Sequence, residues 1–364
     1  SETDDARLTF ENALDAAELG AVVMNHAEVR GFSTAAAGEN CLGVAEIEDR
    51  LSGRKHELAA RFWVNAAGPW VDAVRSIVPG YDGSRTIRMT KGIHVILPLV
   101  SETYGLFAAI KGDGRIFLAM PWHGRTLLGT TDTDYDRDPE LVDPDRSEVE
   151  YLIGAVNRVL RKPFKPGDAL GSFAGLRALV VEQGRSPSAN TREHRFHRDP
   201  WAKNLVTVCG GKLTTARALG EALIDLIASE LPSPAAAPGS LCAPSRRRPL
   251  PGGNIGDYDS FLDSAVTEAA KRFGITPQTA KRIAATYGSR WRKALEPIQS
   301  RKSLADPLPG SAGILAAEVY FAIREEMAVT PDDFLLRRSG LSWTARVHPE
   351  LAAAVSEIFA RELF

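Results

Sequence analysis

The sequence predicts three architectures in order: the later part of a nucleotide-binding α/β domain, an antiparallel-sheet domain of α+β type, and a C-terminal all-α domain. Three observations lead there. A helix, strand, hairpin, strand, glycine turn and helix follow one another in the first eighty residues. Between Arg85 and His197 the apolar runs become short, β-branched and broken by Gly, Pro or Asp. From Gly252 to Phe364 the pattern is helical, with Pro277, Pro297, Pro331 and Pro349 near breaks or first turns.

The elements follow in chain order. Ala6–Leu19 carries Leu8, Ala13, Leu14, Ala17 and Leu19 roughly on one face, and Gly20 closes it as a helix stop. Ala21–Met24 reads as a short apolar strand that leads into His26–Val29. Leu42–Glu48 alternates as a strand, Arg50–Lys55 is a hairpin turn, and Glu57–Asn65 is the return strand. Pro69 then opens a short helix, Trp70–Ile77. Strands are expected at Gly92–Pro98, Arg115–Pro121 and Thr126–Gly129, and a helix at Ser147–Leu160. Asn204–Cys209 is a buried-type strand, and Leu213–Glu230 an amphipathic helix. Leu231–Pro251, rich in Pro, Ala and Ser, is a linker.

Composition narrows the function classes. The 364 residues are 44% apolar and 25% charged, as folded chains are, and the length favours two domains or slightly more. A net charge of -2 lacks the basic excess of a nucleic-acid binder. Cys41, Cys209 and Cys242 lie too far apart for a disulfide framework or metal-ligand spacing, so a reducing compartment is expected and no metal. No apolar run has the length of a membrane span.

Four groups of residues are candidates for chemistry. In Leu205–Thr215 a buried strand meets Gly210 and Gly211, then a helix whose leading amides and Lys212 form a positive end. Such a turn suits a phosphate or the pyrimidine edge of a flavin, and equally an ordinary strand-to-helix packing turn. In Val64–Trp70 the small residues Ala67 and Gly68 would let a nucleotide approach the backbone, or simply close a tight turn. Arg177, Arg185, Arg192 and Arg195 form a group of arginines that favours a small anion over a polyanion, with an ion pair to Glu182 as the structural reading for Arg177. Finally, His94 in Lys91-Gly-Ile-His94 is either a general base or a structural strand histidine.

Taken together and in this order, the motifs resemble the FAD-dependent glycerol-3-phosphate dehydrogenase family. They are Asp4-Asp-Ala-Arg-Leu8, Val64–Trp70, Lys91–His94, Pro121-Trp122, Gly129-Thr-Thr-Asp132, Gly175-Leu-Arg177, Thr191-Arg192, Gly210–Thr215 and Thr286-Tyr-Gly-Ser289. The resemblance covers nearly the whole chain. It implies a remainder of an FAD-binding Rossmann-like domain at 1–80, a substrate domain at 81–200 and a return to the FAD domain at 201–232. A linker at 233–251 and a helical domain at 252–364 complete the expectation. No strand–Gly-x-Gly-x-x-Gly–helix element stands in these residues. By the resemblance, about the first third of a family member is expected to be absent, so the chain alone would bind FAD poorly.

The implied reaction oxidises sn-glycerol 3-phosphate to dihydroxyacetone phosphate, with electrons passed to quinone. The resemblance assigns Arg177 and Arg192 to the substrate phosphate and places Lys212 near the substrate or flavin edge. His94 is assigned as the base. Gly210, Gly211, Lys212, Leu213, Thr214 and Thr215 would meet the flavin, Ala67 and Gly68 the cofactor, and Val29 its adenine. A cytoplasmic protein on the inner membrane face is implied, peripherally attached, with a homodimer allowed for. Arg290, Trp291, Arg292 and Lys293 are one candidate contact with the membrane, or a solvated helix face. The competing readings are a glycerol-3-phosphate oxidase that yields peroxide, an amino-acid oxidase, and a non-catalytic anion-binding remnant.

Overall fold

The computed structural model describes residues 3–35, 40–109, 114–181, 193–230, 244–311, 313–344 and 348–363. The chain divides into two compact units, His26–Arg246 and a second formed by Ser1–Asn25 with Arg247–Phe364.

In the first unit a three-stranded antiparallel sheet joins β1 (Ala27–Thr34), β2 (Leu42–Asp49) and β3 (Lys55–Ala59). The single return strand expected over Glu57–Asn65 is two. After β3 the chain breaks, and β4 (Trp63–Asn65) runs parallel to β12 (Leu205–Cys209), with Asn65 opposite Thr207. On the other edge of β12, β11 (Arg195–His197) pairs antiparallel. Ala21–Met24, expected as a strand, is irregular, and Val22 is 85% exposed. Four apolar residues give a strand nothing to pair with unless a partner lies alongside.

Six strands form the central sheet. They are β5 (Ile87–Leu97), β6 (Leu106–Ala109), β7 (Ile116–Trp122), β8 (Arg125–Gly129), β9 (Thr133–Tyr135) and β10 (Gly171–Val180). Alternation along β5 sends Ile93, Val95 and Leu97 to one face. There they pack with Phe117, Leu128 and the Leu152, Ile153 and Val156 side of α3 (Arg146–Asn157). Lys91 belongs to that same set. It is buried, its Nζ 2.6 Å from Asp145 Oδ2 and 2.8 Å from Glu148 Oε2, and so it anchors the first turn of α3.

Between β4 and β5, the helical turn Gly68–Trp70 leads into α2 (Val71–Ser76). Arg75 of α2 is fully buried and forks onto Asp199 at 2.9 and 2.6 Å, with Asp72 at 3.0 Å. Burial alone would raise the Asp199 carboxyl, but the hydrogen bonds from Arg75 and His197 hold it below the usual carboxylate range. A carboxylate depressed on folding stabilises above its unfolded pKa of about 4 and loses that contribution as the pH falls through the folded value. Asp199→Ala is expected to remove about 1.5–3 kcal/mol at pH 7, since Arg75 keeps Asp72. It should also flatten the decline in stability below about pH 4. Urea unfolding at pH 7 and pH 3.5 checks both, and a parallel decline in variant and parent would refute the linkage.

The second unit is helical. Its elements are α1 (Asp5–Glu18), α5 (Tyr258–Phe273), α6 (Pro277–Tyr287), α7 (Trp291–Leu295), α8 (Ala316–Glu325), a π-helical segment at Asp333–Arg338, α9 (Leu341–Thr344) and α10 (Pro349–Leu363). Caps set their starts: Asp4, Asp257 and Thr276 each accept from the backbone N–H three residues on. The helix α1, expected with residues 1–80, packs in this unit instead. Its Arg7 reaches Glu326 Oε1 at 2.6 Å, and that carboxylate is 0% exposed. Trp291 is a core residue with Tyr287 and Phe321. Arg292 pairs with Glu268, Lys293 with Glu325, and Arg290 lies 3.5 Å from Glu11. In the Arg290–Lys293 segment Trp291 is therefore buried, while Arg292 and Lys293 stay exposed beside their carboxylate partners. Among the described residues, no helix is long and apolar enough to cross a membrane.

Candidate active site

The face of the central sheet opposite α3 carries the polar candidates. Residues directly opposite one another in register share a face, so Arg177, Thr90 and Asp134 form one row across β10, β5 and β9. Phe173, His94, Gly129 and Leu118 form another across β10, β5, β8 and β7. Gly175 and Gly92 stand side by side between these rows.

Those glycines shape the face. A Cβ on Gly92 would lie 2.5 and 2.6 Å from the two Nη atoms of Arg177, so the guanidinium rests directly over the strand backbone. Arg177 Nη2 donates to Thr130 Oγ1 at 3.1 Å, and Nη1 to Thr131 O at 3.3 Å and Asp132 Oδ1 at 3.4 Å. The side chain remains 27% exposed. A Cβ on Gly129 would lie 2.2 Å from His94 Cδ2 and 2.6 Å from its Nε2. His94 therefore covers Gly129, and its ring stacks on Phe173 with centroids 5.2 Å apart and planes 19° from parallel. Thr90 is 1% exposed, and its Oγ1 has no hydrogen-bond partner among the described residues.

The two glycine turns meet at one edge. Because β4 and β12 run parallel in register, Ala66–Gly68 and Gly210–Lys212 both emerge from carboxyl ends of adjacent strands. In open α/β sheets that edge is where ligands bind. Gly210 and Gly211 have φ of +71° and +97°, and a Cβ on Gly210 would strike Glu193 O at 2.7 Å. The same Cβ would sit 3.1 Å from Val180 Cγ2, at the end of the strand that carries Arg177. Lys212 is exposed, and Leu213–Thr215 forms a helical turn ahead of α4 (Ala216–Ile227).

Thr215 N–H donates to Lys212 O at 3.0 Å, which leaves the amides of Leu213 and Thr214 as the leading donors. Gly68 has φ +55°, and nothing lies within 4 Å of where its Cβ would be, so a flat group can reach the backbone there. Val29 lies on β1 opposite Ile47, in a sheet separate from both turns. Arg185, Arg192 and Glu182 lie outside the described residues. Sequence reasoning gave no role to Lys91 or Arg75; for Lys91 the signal was its place in the alternating set with Ile93, Val95 and Leu97.

A parallel pair ending in two glycine turns, beside an antiparallel sheet that presents an arginine and a histidine on its open face, defines a class of flavin-type oxidoreductases. The chain belongs to the FAD dependent oxidoreductase family, whose model matches residues 1–226. Residues 243–364 match the C-terminal domain of alpha-glycerophosphate oxidase. Among its relatives is the aerobic glycerol-3-phosphate dehydrogenase of Staphylococcus haemolyticus strain JCSC1435, 35% identical over 350 residues, which are 93% of this chain and 60% of the relative. The enzyme of the same name from Staphylococcus aureus strain USA300 is 33% identical over 344 residues, with the same two shares. The chain thus spans about three-fifths of the length of these curated relatives. The glycerol-3-phosphate dehydrogenase from Bacillus halodurans, solved with FAD, superposes with a TM-score of 0.79 at 28% identity, covering 99% of this chain and 70% of that one.

Proposed function

We propose that this chain carries the substrate-oxidising part of an FAD-dependent glycerol-3-phosphate dehydrogenase that yields dihydroxyacetone phosphate. The observation that carries the reading is Arg177, laid over Gly92 on the open sheet face with His94 on the same face. The relatives above support the substrate. In this reading 81–200 is the substrate domain, and 201–232 returns to the cofactor domain.

FAD, when bound, supplies the hydride acceptor; Gly68, Gly210, Gly211 and the leading amides of Leu213 and Thr214 would hold it. Arg177 takes the substrate phosphate. Its contacts to Thr130, Thr131 and Asp132 lie at 3.1 to 3.4 Å, and a phosphate oxygen at ordinary charge-assisted distance would compete with them. Arg192 supplies the second cation of that clamp, and Lys212 a further charge at the turn. The His94 ring removes the proton from the substrate C2 hydroxyl as hydride leaves C2, and Phe173 fixes the plane of that ring. Electrons pass on to a quinone, reached from the membrane surface.

Arg177→Ala is expected to weaken glycerol 3-phosphate binding by about tenfold to hundredfold, as loss of a charge-assisted contact does. Substrate-dependent bleaching of the flavin band, in the polypeptide as the cell makes it, measures this. An unchanged half-saturating concentration would remove Arg177 from the clamp. The match of residues 243–364 to an oxidase domain favours a second reading, in which O2 accepts the electrons. Peroxide formed in step with substrate, with quinone present, would select it.

A further inference from the structure

The arginine group that the sequence singles out is split by the fold, and one part lines a cavity away from Arg177. That cavity, about 450 Å³, is bounded by Arg85, Thr86, Val180, Val181, Arg195, His197 and Cys209. Strand alternation separates it from the sheet face above. Arg177 and Val180 are three residues apart on β10 and point to opposite faces. Val180 lies with Val71, Ile87 and Cys209 in a small core, of which Val180 and Cys209 line the cavity as its floor. Arg195 stands opposite Cys209 in register, and His197 opposite Thr207.

The local charge balance is uneven. Asp72 accepts from Thr86 N, Thr86 Oγ1 and Ile87 N, and also pairs with Arg75. Asp199 is taken up by Arg75 and by His197, whose Nε2 lies 2.9 Å from Asp199 Oδ1. Arg88 pairs with Asp134, in a neighbouring cavity that Arg85 also lines. Arg85 and Arg195 make no ion pair or hydrogen bond among the described residues, and both are exposed at the rim. Burial pushes the Cys209 thiol up, so the floor is neutral and adds no competing anion.

We propose that this cavity is a second anion site, which binds the phosphate group of a small molecule between Arg85 and Arg195, separately from Arg177. Arg85 and Arg195 both line this cavity, and no carboxylate is among its described lining residues, so two guanidiniums are available to one phosphate. The volume admits a phosphate ester of a few carbons, with the apolar floor of Val180 and Cys209 under its carbon part. Arg177 is not among the residues that line this cavity, so this inference and the proposed phosphate clamp at Arg177 can fail separately.

The test is an NMR titration of the whole protein with inorganic phosphate at constant ionic strength, which follows backbone amides at both places. Saturable shifts are expected at Thr86, Val181, Arg195 and Cys209. The double variant Arg85→Ala/Arg195→Ala should weaken them by roughly tenfold to hundredfold. Arg85→Lys/Arg195→Lys, which keeps the charge but loses the fork, should weaken them less. In Arg177→Ala these shifts should persist, while those at Gly92 and Thr131 are lost. Absence of saturation at the cavity amides, or shifts indifferent to the double alanine variant, overturns the proposal. So does their disappearance in Arg177→Ala.

Discussion

Glu326→Ala should lower the stability of the helical unit by about 3–5 kcal/mol, the range for breaking one side of a buried ion pair. The carboxylate has no exposure and lies 2.6 Å from Arg7 and 3.6 Å from Arg290. Both guanidiniums are nearly buried, and among the described residues their one other carboxylate is Glu11, 3.3 Å from Arg7 and 3.5 Å from Arg290. Removal of Glu326 leaves two cations sharing that carboxylate inside a core also bounded by Tyr287 and Phe321. Glu11 is the weaker partner, because burial already pushes its carboxyl up toward the neutral form. Glu11→Gln should therefore cost much less than Glu326→Ala, and the contrast isolates the role of Glu326. Urea unfolding followed by tryptophan fluorescence reads both, since Trp291 lies in that core. A Glu326→Ala loss below about 1 kcal/mol would mean that water or a shifted Glu11 replaces the carboxylate.

The same cluster shows why parts of this molecule were legible in sequence and others were not. Helices with a capping residue and an apolar stripe, such as α1 and α3, lie within a residue or a few of their expected bounds, because the signals are local. The strand β5 was recognised late, at Gly92 rather than Ile87, since Arg88 and Lys91 interrupt its apolar pattern. What the sequence leaves open is partnership. Nothing near Arg7 announces Glu326, more than three hundred residues away. Nothing in Trp63–Asn65 announces that these residues leave the hairpin for β12. Trp291, flanked by Arg290, Arg292 and Lys293, looks exposed by its neighbours, yet it packs in a core with Phe273, Tyr287 and Phe321.

The candidate site divides in the same way. Each glycine turn was visible as strand, small residues and helix, but their meeting at one sheet edge follows from the parallel pairing of β4 with β12. Arg177 and His94 were visible as residue types. That they share a face follows from register, with Arg177 opposite Thr90 and Phe173 opposite His94.

Gly129→Ala is expected to reduce turnover by roughly a hundredfold to ten-thousandfold, the usual contribution of a positioned general base, if His94 removes the C2 hydroxyl proton. The new methyl would lie 2.2 Å from His94 Cδ2, and Phe173 stacks on the ring, so the imidazole must swing out of its plane. The backbone can keep its path, because the clash is with a side chain. Gly92→Ala provides the matched test: the atoms nearest its methyl are the ends of Arg177 and Thr130, so it should move the guanidinium and raise KM. The two alanines therefore predict opposite splits, kcat for Gly129 and KM for Gly92, on strands that are neighbours in one sheet. His94→Asn should reproduce the Gly129→Ala defect and abolish the rise of kcat with pH that a histidine base confers. If Gly129→Ala instead raises KM with kcat intact, the ring serves to shape the phosphate pocket, and the proton leaves C2 by another route.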